Sequence, residues 1–297
     1  TTLFRSAMLV EDAPRVRRKK AYVVASLTTN LAVLGFFKYF NFFIDSFDSA
    51  CHALGLHVDV PTLHIILPVG ISFYTFQSMS YAIDIYRGQL KPTRDPLDFA
   101  LYVAFFPQLM AGPIERAYQL MPQVIKPRVI TYEMVREGMW LILQGFFKKV
   151  VIADNMAPYA NAVFNHPNEY HGLGVYLGVL AFSFQIYGDF CGYSNIARGT
   201  AMLMGFDLMH NFRMPYFSQN PQEFWRRWHI SLSSWLRDYL YVSLGGNRFG
   251  EWMTYRNLML TMLLGGLWHG ASWHYVAWGA YQGALLCVHR LYAGRNP

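Results

Sequence analysis

The residue that stands out as a candidate for chemistry is His269, an ionisable side chain inside a long uncharged stretch. Residues 257–289 contain no Asp, Glu, Lys or Arg, and the stretch is bounded by Arg256 and Arg290. Counted along a helix from Arg256, His269 lies on the order of 20 Å from the nearest charged residue. An ionisable group at membrane depth is costly, which makes it a candidate functional residue. The alternative is a core histidine hydrogen-bonded to a neighbouring carbonyl.

The same stretch predicts a bend. Two crossings of a bilayer need roughly 20 apolar residues each, so residues 257–289 are too few for two crossings and too many for one helix. Gly265, Gly266 and Gly270 lie near the middle, where a chain bends or another backbone approaches closely.

A second group of candidates lies at residues 218–248, SQNPQEFWRRWHISLSSWLRDYLYVSLGGNR. The pattern predicts one helix of about 24 residues with marked ends. Its end signals are an N-cap, a proline in the first turn, a capping-box glutamate and two terminal glycines. These residues are Asn220, Pro221, Glu223, Gly245 and Gly246.

This predicted helix has two faces at helical spacing. The aromatic face comprises Phe224, Trp228, Leu232, Trp235 and Tyr239. The polar stripe comprises Arg226, His229, Ser233, Arg237 and Tyr241. Such a helix could lie at the bilayer surface with its basic residues among the headgroups. His229 among cations favours a different role, as a base or beside an anionic group of a substrate.

The composition indicates the elements that must position these residues. Hydrophobic residues make up 54% of the 297 and charged residues 14%, against about 25% charged in a soluble domain. So few charges cannot cover a water-soluble surface, and the sequence predicts an all-α, polytopic membrane protein. The net charge is +7, and the basic residues lie between the apolar runs. This distribution indicates orientation in the bilayer rather than binding of nucleic acid. Three isolated cysteines indicate neither a disulfide framework nor a metal site.

The distribution of basic residues predicts which side each segment faces. The basic cluster at 15–20 is cytoplasmic, and the apolar run at 21–44, with Lys38 as its one interior charge, leads outside. The loop at 45–60 has no Lys or Arg and is predicted to be external. The apolar run at 60–83 returns the chain to the inside.

The segment at 99–114 is short for a crossing and is interrupted by Pro107 and Pro113. Basic residues on both sides predict a re-entrant segment, which is tolerated only where it is buried in protein or lines a cavity. A tilted ordinary helix is the alternative.

A crossing at 170–188 leads into a polar patch that includes Gln185, Tyr187 and Asp189. An Asp at a helix centre costs about 2.5–3.5 kcal/mol on insertion scales. Asp189 is therefore expected to have a partner, a water-filled cavity or a place near the rim. In the simplest arrangement it pairs with Arg198.

Four motifs together resemble the membrane-bound O-acyltransferase (MBOAT) family. They are FPQLMAGPI from Phe106, QIYGDFCGYS from Gln185, NPQEFWRRWH from Asn220 and GLWHG from Gly266. The chain is most similar to the bacterial branch of the alginate O-acetylation membrane subunit, with the teichoic-acid D-alanylation membrane protein more distant. Cys191 stands where a serine is expected in this branch.

The resemblance implies a bundle with re-entrant or short helices around a central tunnel. It also implies an intramembrane catalytic His269 and a second important His229. The tunnel joins a cytoplasmic acyl-thioester donor to an external acceptor. Residues 1–297 are expected to form a single membrane-embedded acyltransferase domain, a fragment lacking further N-terminal and C-terminal helices.

We assign His269 as general base, because neutral imidazole suits that task, and His229 as a second proton-handling or donor-orienting group. Arg226 and Arg237 are expected to bind the phosphate of a phosphopantetheine arm, as guanidinium groups do. Further residues are expected to bind the substrate or line the tunnel: Tyr187, Asp189, Gln185, Trp228, Trp268 and Ser233.

The expected donor is acetyl-CoA or an acyl carrier, with no bound cofactor and no metal, since His269 and His274 do not share a helical face. The expected acceptor is an extracytoplasmic polysaccharide such as alginate, reached directly or through an acyl-relay protein. The expected location is the bacterial cytoplasmic membrane, with many crossings and no nucleic-acid partner. The alternative function is a transporter with a proton relay through its buried His and Asp residues.

Overall fold

The structure is a computed structural model that describes residues 2–12, 16–58, 63 and 65–293. Its regular elements are helices, with no β-strand among these residues, in agreement with the predicted all-α class. Within that part of the chain the α-helices are α1 Thr2–Asp12, α2 Val16–Leu34, α3 Phe40–Ala53, α4 Ile71–Tyr86, α5 Pro96–Val103, α6 Ala117–Ile125, α7 Tyr132–Phe146, α8 Asp154–Asn165, α9 Leu173–Leu203, α10 Pro221–Arg227, α11 Ile230–Trp235, α12 Glu251–His269 and α13 Trp273–Ala293. Parts of the predicted segments at 15–20, 45–60 and 60–83 lie outside the described residues.

Among the described residues, two helical stretches are long and apolar enough to cross a membrane, Val16–Ala53 and Leu173–Leu203. The first joins α2 to α3 through a π-helical turn at Gly35–Tyr39, so the apolar run predicted at 21–44 is part of a longer helix. The second is α9, which continues well past the predicted end at 188. It continues because the small and polar residues of the patch pack against α7, α8 and the π-helical turn Phe147–Ala153.

The uncharged stretch at 257–289 forms most of the paired helices α12 and α13. These helices extend beyond the stretch on both sides and contain 19 and 21 residues. The stretch is divided between two helices, as its excess length over a single helix predicted, and Arg256 and Arg290 lie within these helices rather than at their ends. The predicted bend falls at Gly270, which ends α12.

A close backbone approach, also predicted for this stretch, occurs at Gly266. A Cβ added there would lie 3.0 Å from the Gly279 Cα and would collide with the Tyr275 carbonyl oxygen. Only a hydrogen at this position lets α12 and α13 approach so closely.

The segment at 99–114 is not a continuous helix. α5 ends at Val103, a 3₁₀ turn follows at Phe106–Gln108, and the chain is then irregular as far as Arg116. An ordinary tilted helix is therefore excluded. Pro107, Gln108, Ile114 and Glu115 are buried, so the irregular backbone meets the expected condition of lying inside protein.

Candidate active site

The segment predicted as one long helix is divided at His229. Its start agrees with the prediction: the Asn220 Oδ1 accepts the backbone N–H of Glu223 at 2.8 Å, and Pro221 opens α10. Between α10 and α11, however, His229 has φ 43° and ψ 53°, a left-handed conformation that interrupts a right-handed helix. The single-helix prediction was wrong for this reason.

The capping box closes one residue earlier than predicted. Glu223 accepts the backbone N–H of Gln219 at 2.8 Å and pairs with Arg227. The Gln219 N–H, and then the Arg227 guanidinium, hold the pKa of Glu223 below its usual range. α10 therefore has a well-fixed start immediately before the break.

The break divides the predicted aromatic face between two packed groups. Leu232, Trp235 and Tyr239 join a buried core with Phe76 and Trp268. Phe224 and Trp228 instead stack on each other, with ring centroids 5.6 Å apart. The division turns His229 inward, between the two groups.

His229 is 2% exposed, and neither ring nitrogen has a hydrogen-bond partner within the described part of the chain. The Phe190 ring meets it edge to face at a centroid distance of 4.6 Å. Left-handed backbone costs a non-glycine residue about 1–2 kcal/mol, and an unpaired buried polar group costs about 1–3 kcal/mol. Two such costs at one residue point to a functional role.

A segment that the sequence did not single out holds the break in place. The Asn211 carbonyl accepts the Ile230 N–H at 2.9 Å, and the Arg213 N–H donates to the Arg227 carbonyl at 2.9 Å. The Asn211 side chain also accepts the Ser231 hydroxyl at 2.9 Å and donates to the Ser194 hydroxyl at 3.1 Å. These long-range bonds replace the helical ones, and no local sequence pattern announces them.

His269 is the last residue of α12, and its side chain is exposed to a cavity of about 690 Å³. The interpretation of His269 as an enclosed core histidine does not fit this exposure. The ring contacts Trp278 edge to face at 5.2 Å and lies 6.3 Å from the His229 ring, centroid to centroid. The structure thus brings the two predicted histidines together.

The cavity extends along α12. Its lining residues on this helix run from Glu251 to His269, about 27 Å of helix at 1.5 Å per residue. Three other predicted site residues, Arg226, Ser233 and Arg237, also line it. Most residues of the predicted polar stripe therefore line this cavity, although the long helix is divided.

The remaining aromatic candidates lie in packed clusters outside this cavity. Trp268 is 7% exposed and stacks on Phe76 at a centroid distance of 5.3 Å. Trp228 and Tyr187 belong to a group with Phe212 and Tyr216. Gln185, on α9, has a buried side-chain oxygen without a partner among the described residues.

Asp189 lies on an exposed face of α9, and its partner is Lys149 at 2.8 Å rather than Arg198. Arg198 is 3.7 Å from Asp207 and bonds the Leu208 carbonyl instead. Asp189 lines a second cavity of about 410 Å³, together with Phe190 and Tyr193. Phe190 thus touches both this second cavity and the His229 ring.

The expected distance of about 20 Å between His269 and the nearest charge was wrong. Lys38 of the π-helical turn donates to the carbonyl of Trp268, the residue before His269. The distance of about 20 Å was counted along α12 alone. Lys38 belongs to a different segment, 230 positions from Trp268 in the sequence.

The geometry is that of two neighbouring histidines at the end of a long cavity. A model of the membrane-bound O-acyltransferase family matches residues 90–295. The chain belongs to this family of membrane proteins.

Among its relatives, the probable alginate O-acetylase AlgI of Azotobacter vinelandii is 50% identical over 93% of this chain. The peptidoglycan O-acetyltransferase of Helicobacter pylori is 40% identical over 93% of the chain. The teichoic acid D-alanyltransferase of Bacillus subtilis is 31% identical over 80%. The aligned regions cover 55%, 56% and 62% of these three relatives, so the chain spans little more than half their length.

Proposed function

We propose that this chain is the membrane domain of an O-acyltransferase of the bacterial cytoplasmic membrane. It moves an acetyl group from a cytoplasmic thioester to hydroxyl groups of an extracytoplasmic polysaccharide such as alginate, directly or through a partner protein. The observation that carries the proposal is the exposure of His269 at one end of a cavity that follows most of α12.

In the proposed reaction, His269 removes the proton of the acceptor hydroxyl while the hydroxyl oxygen attacks the carbonyl carbon of the thioester. The tetrahedral intermediate then collapses, the C–S bond breaks, and the leaving thiolate takes the proton from the imidazolium. General-base assistance of this kind is typically worth about 10²–10⁴ in rate. His229, which lies next to His269 and has no hydrogen-bond partner among the described residues, handles the proton or orients the donor.

The two ends of the cavity fit opposite sides of the membrane. Arg87 follows the run predicted to return inside and bonds the Ser243 hydroxyl at 3.2 Å, close to the start of α12. At the other end of α12, Trp273 donates to Ser46 at 3.1 Å, in the segment predicted to be external. The donor therefore enters near Glu251, and the acyl group reaches His269 near the outer face.

The residues that line the cavity support a thioester on a long arm. Arg226 and Arg237 supply guanidinium groups that can bind a phosphate in two-point geometry. The cavity follows α12 from Glu251 to His269, about 27 Å of helix, which suits a long, extended donor. These features favour acetyl-CoA or an acyl carrier as donor, bound as a substrate.

The relatives support a polymer of the cell envelope as acceptor. The three relatives are named for alginate O-acetylation, peptidoglycan O-acetylation and teichoic acid D-alanylation. Alginate is the acceptor named for a relative that is 50% identical over 93% of this chain. We therefore propose a polysaccharide hydroxyl as acceptor.

The proposal is tested with His269→Ala and His269→Gln in the full-length protein. We expect both variants to insert normally and to lose ester from the cell-surface polysaccharide, measured by mass spectrometry of the ester-bearing sugar. Normal ester content in either variant would show that His269 is not the base. Proton or substrate flux into vesicles without an acyl donor would favour a transporter instead.

A further inference from the structure

The α2–α3 helix carries a π-helical turn at Gly35–Tyr39, beside the end of α12. A π-helical turn inserts an extra residue into the helical ladder, which redirects the side chains that follow, and such turns recur at functional sites. Here residues of the turn pack with Leu267 and Ala271, which lie two positions before and two positions after His269.

Two side chains of this turn bond the final carbonyls of α12. The Tyr39 hydroxyl donates to the Leu267 carbonyl at 2.8 Å. The Lys38 ammonium donates to the Trp268 carbonyl and to the Ser72 hydroxyl, the latter at 2.9 Å. The last four carbonyls of a helix have no partner within it, so Lys38 and Tyr39 supply bonds that α12 cannot make for itself.

The Lys38 contact differs from the Tyr39 contact in charge. A cation at a helix C-terminus is favoured by the helix dipole, and the effect is confined to the last turn. Lys38 is only partly exposed, and its Nζ also lies 5.5 Å from the centre of the Trp268 ring. Both the backbone and the ring of the residue preceding His269 are therefore held by one ammonium group.

We propose that Lys38 is a positioning residue, which fixes the last turn of α12 so that the His269 ring stays at the end of the cavity. This inference rests on the proposed function, in which His269 acts as the base. Lys38 does not belong to the lining of the cavity. Its contribution is the fixed direction of the imidazole, and a displacement of about 1 Å at a reacting group can lower a rate by roughly 100-fold.

The test compares Lys38→Met, Lys38→Arg and Tyr39→Phe in the purified full-length protein in lipid nanodiscs, with acetyl-CoA as donor. We expect Lys38→Met to lower kcat by roughly 10- to 100-fold while leaving the KM for acetyl-CoA nearly unchanged. Lys38→Arg keeps the cation and should recover most of the lost kcat. Tyr39→Phe also removes one bond to α12 but no charge, and it should cost less than Lys38→Met. Lys91→Met, at an exposed position, is the matched control.

Hydrogen exchange of the peptide covering residues 264–272 is measured on the same proteins, because it does not depend on activity. We expect faster exchange in Lys38→Met than in Lys91→Met. An unchanged kcat in Lys38→Met, or equal losses in Lys38→Met and Tyr39→Phe, would overturn the positioning role. If the unmodified protein transfers no acetyl group, the proposed function fails, and the exchange comparison still decides whether Lys38 holds the end of α12.

Discussion

The rings of His229 and His269 lie 6.3 Å apart, centroid to centroid, one buried and the other exposed to the cavity. Each ring nitrogen is about 1 Å from its centroid, so nitrogens of the two rings stay at least about 4 Å apart, outside hydrogen-bond range. The two rings are therefore neighbours without a direct hydrogen bond between them.

This arrangement predicts that the two histidines act as a unit. We expect His229→Ala and His269→Ala each to lower the rate by roughly 10²–10⁴-fold, and the double variant to be no worse than the more damaged single variant. Initial rates of donor-dependent acyl transfer measure the three effects. Losses that multiply in the double variant would show independent roles.

The bonds around the helix break predict a second effect, at Asn211. Asn211→Ala leaves Ser231 and Ser194 without their buried partner, which should lower the free energy of unfolding by about 1–3 kcal/mol. Because the same bonds hold His229 in its left-handed conformation, kcat should also fall. Detergent-solubilised protein can be compared by thermal unfolding and by initial rate.

Asn168→Ala provides the comparison for Asn211, since Asn168 is exposed in a turn. It should change neither the midpoint of unfolding nor the rate. If Asn211→Ala behaves like Asn168→Ala, the 211–213 segment does not support His229.

The arginines of the cavity predict a selective loss of donor binding. Arg226→Gln and Arg237→Gln should raise the KM for acetyl-CoA by roughly tenfold or more, since hydrogen bonds to charged groups are worth about 1.5–3 kcal/mol. The KM for acetyl-pantetheine, which lacks phosphate, should change little. Steady-state kinetics with both donors separates the two cases.

Arg248 lies outside the lining of the cavity and is exposed. Arg248→Gln therefore serves as the control and should bind both donors normally. Equal losses with acetyl-CoA and acetyl-pantetheine in the cavity variants would argue that these arginines do not contact phosphate.

The sequence predicted the features that depend on local patterns. The helix start at Asn220 and the glycine approach at Gly266 follow from residue type and spacing, and the structure agrees with them. The family resemblance implied that His269 and His229 both matter, and the structure adds that their rings are neighbours, which spacing along the chain cannot supply.

The features that the sequence missed depend on contacts between distant segments. His229 interrupts a strongly periodic helix because the 211–213 segment takes over its backbone bonds. Lys38 reaches the end of α12 through a π-helical turn that has no recognised sequence signal. Asp189 on α9 pairs with Lys149 of the π-helical turn Phe147–Ala153, and periodicity alone does not choose between Lys149 and Arg198 as its partner.

The tight contact between α12 and α13 predicts a destabilising effect of Gly266→Ala. The added methyl group would collide with the Tyr275 carbonyl and with Gly279, so the helices must separate, at a cost of about 1–3 kcal/mol for overpacking. The midpoint of thermal unfolding should fall by several degrees, at about 2–4 °C per kcal/mol for a protein near this size. Because His269 lies three residues further along α12, the rate should fall as well.

Gly174→Ala is the control. Its new methyl group meets only Tyr170, at an ordinary contact distance of 3.5 Å, so the midpoint of unfolding should hardly change. A Gly266→Ala protein as stable as Gly174→Ala would mean that α12 and α13 can move apart without loss, and that their close contact does not determine where His269 lies.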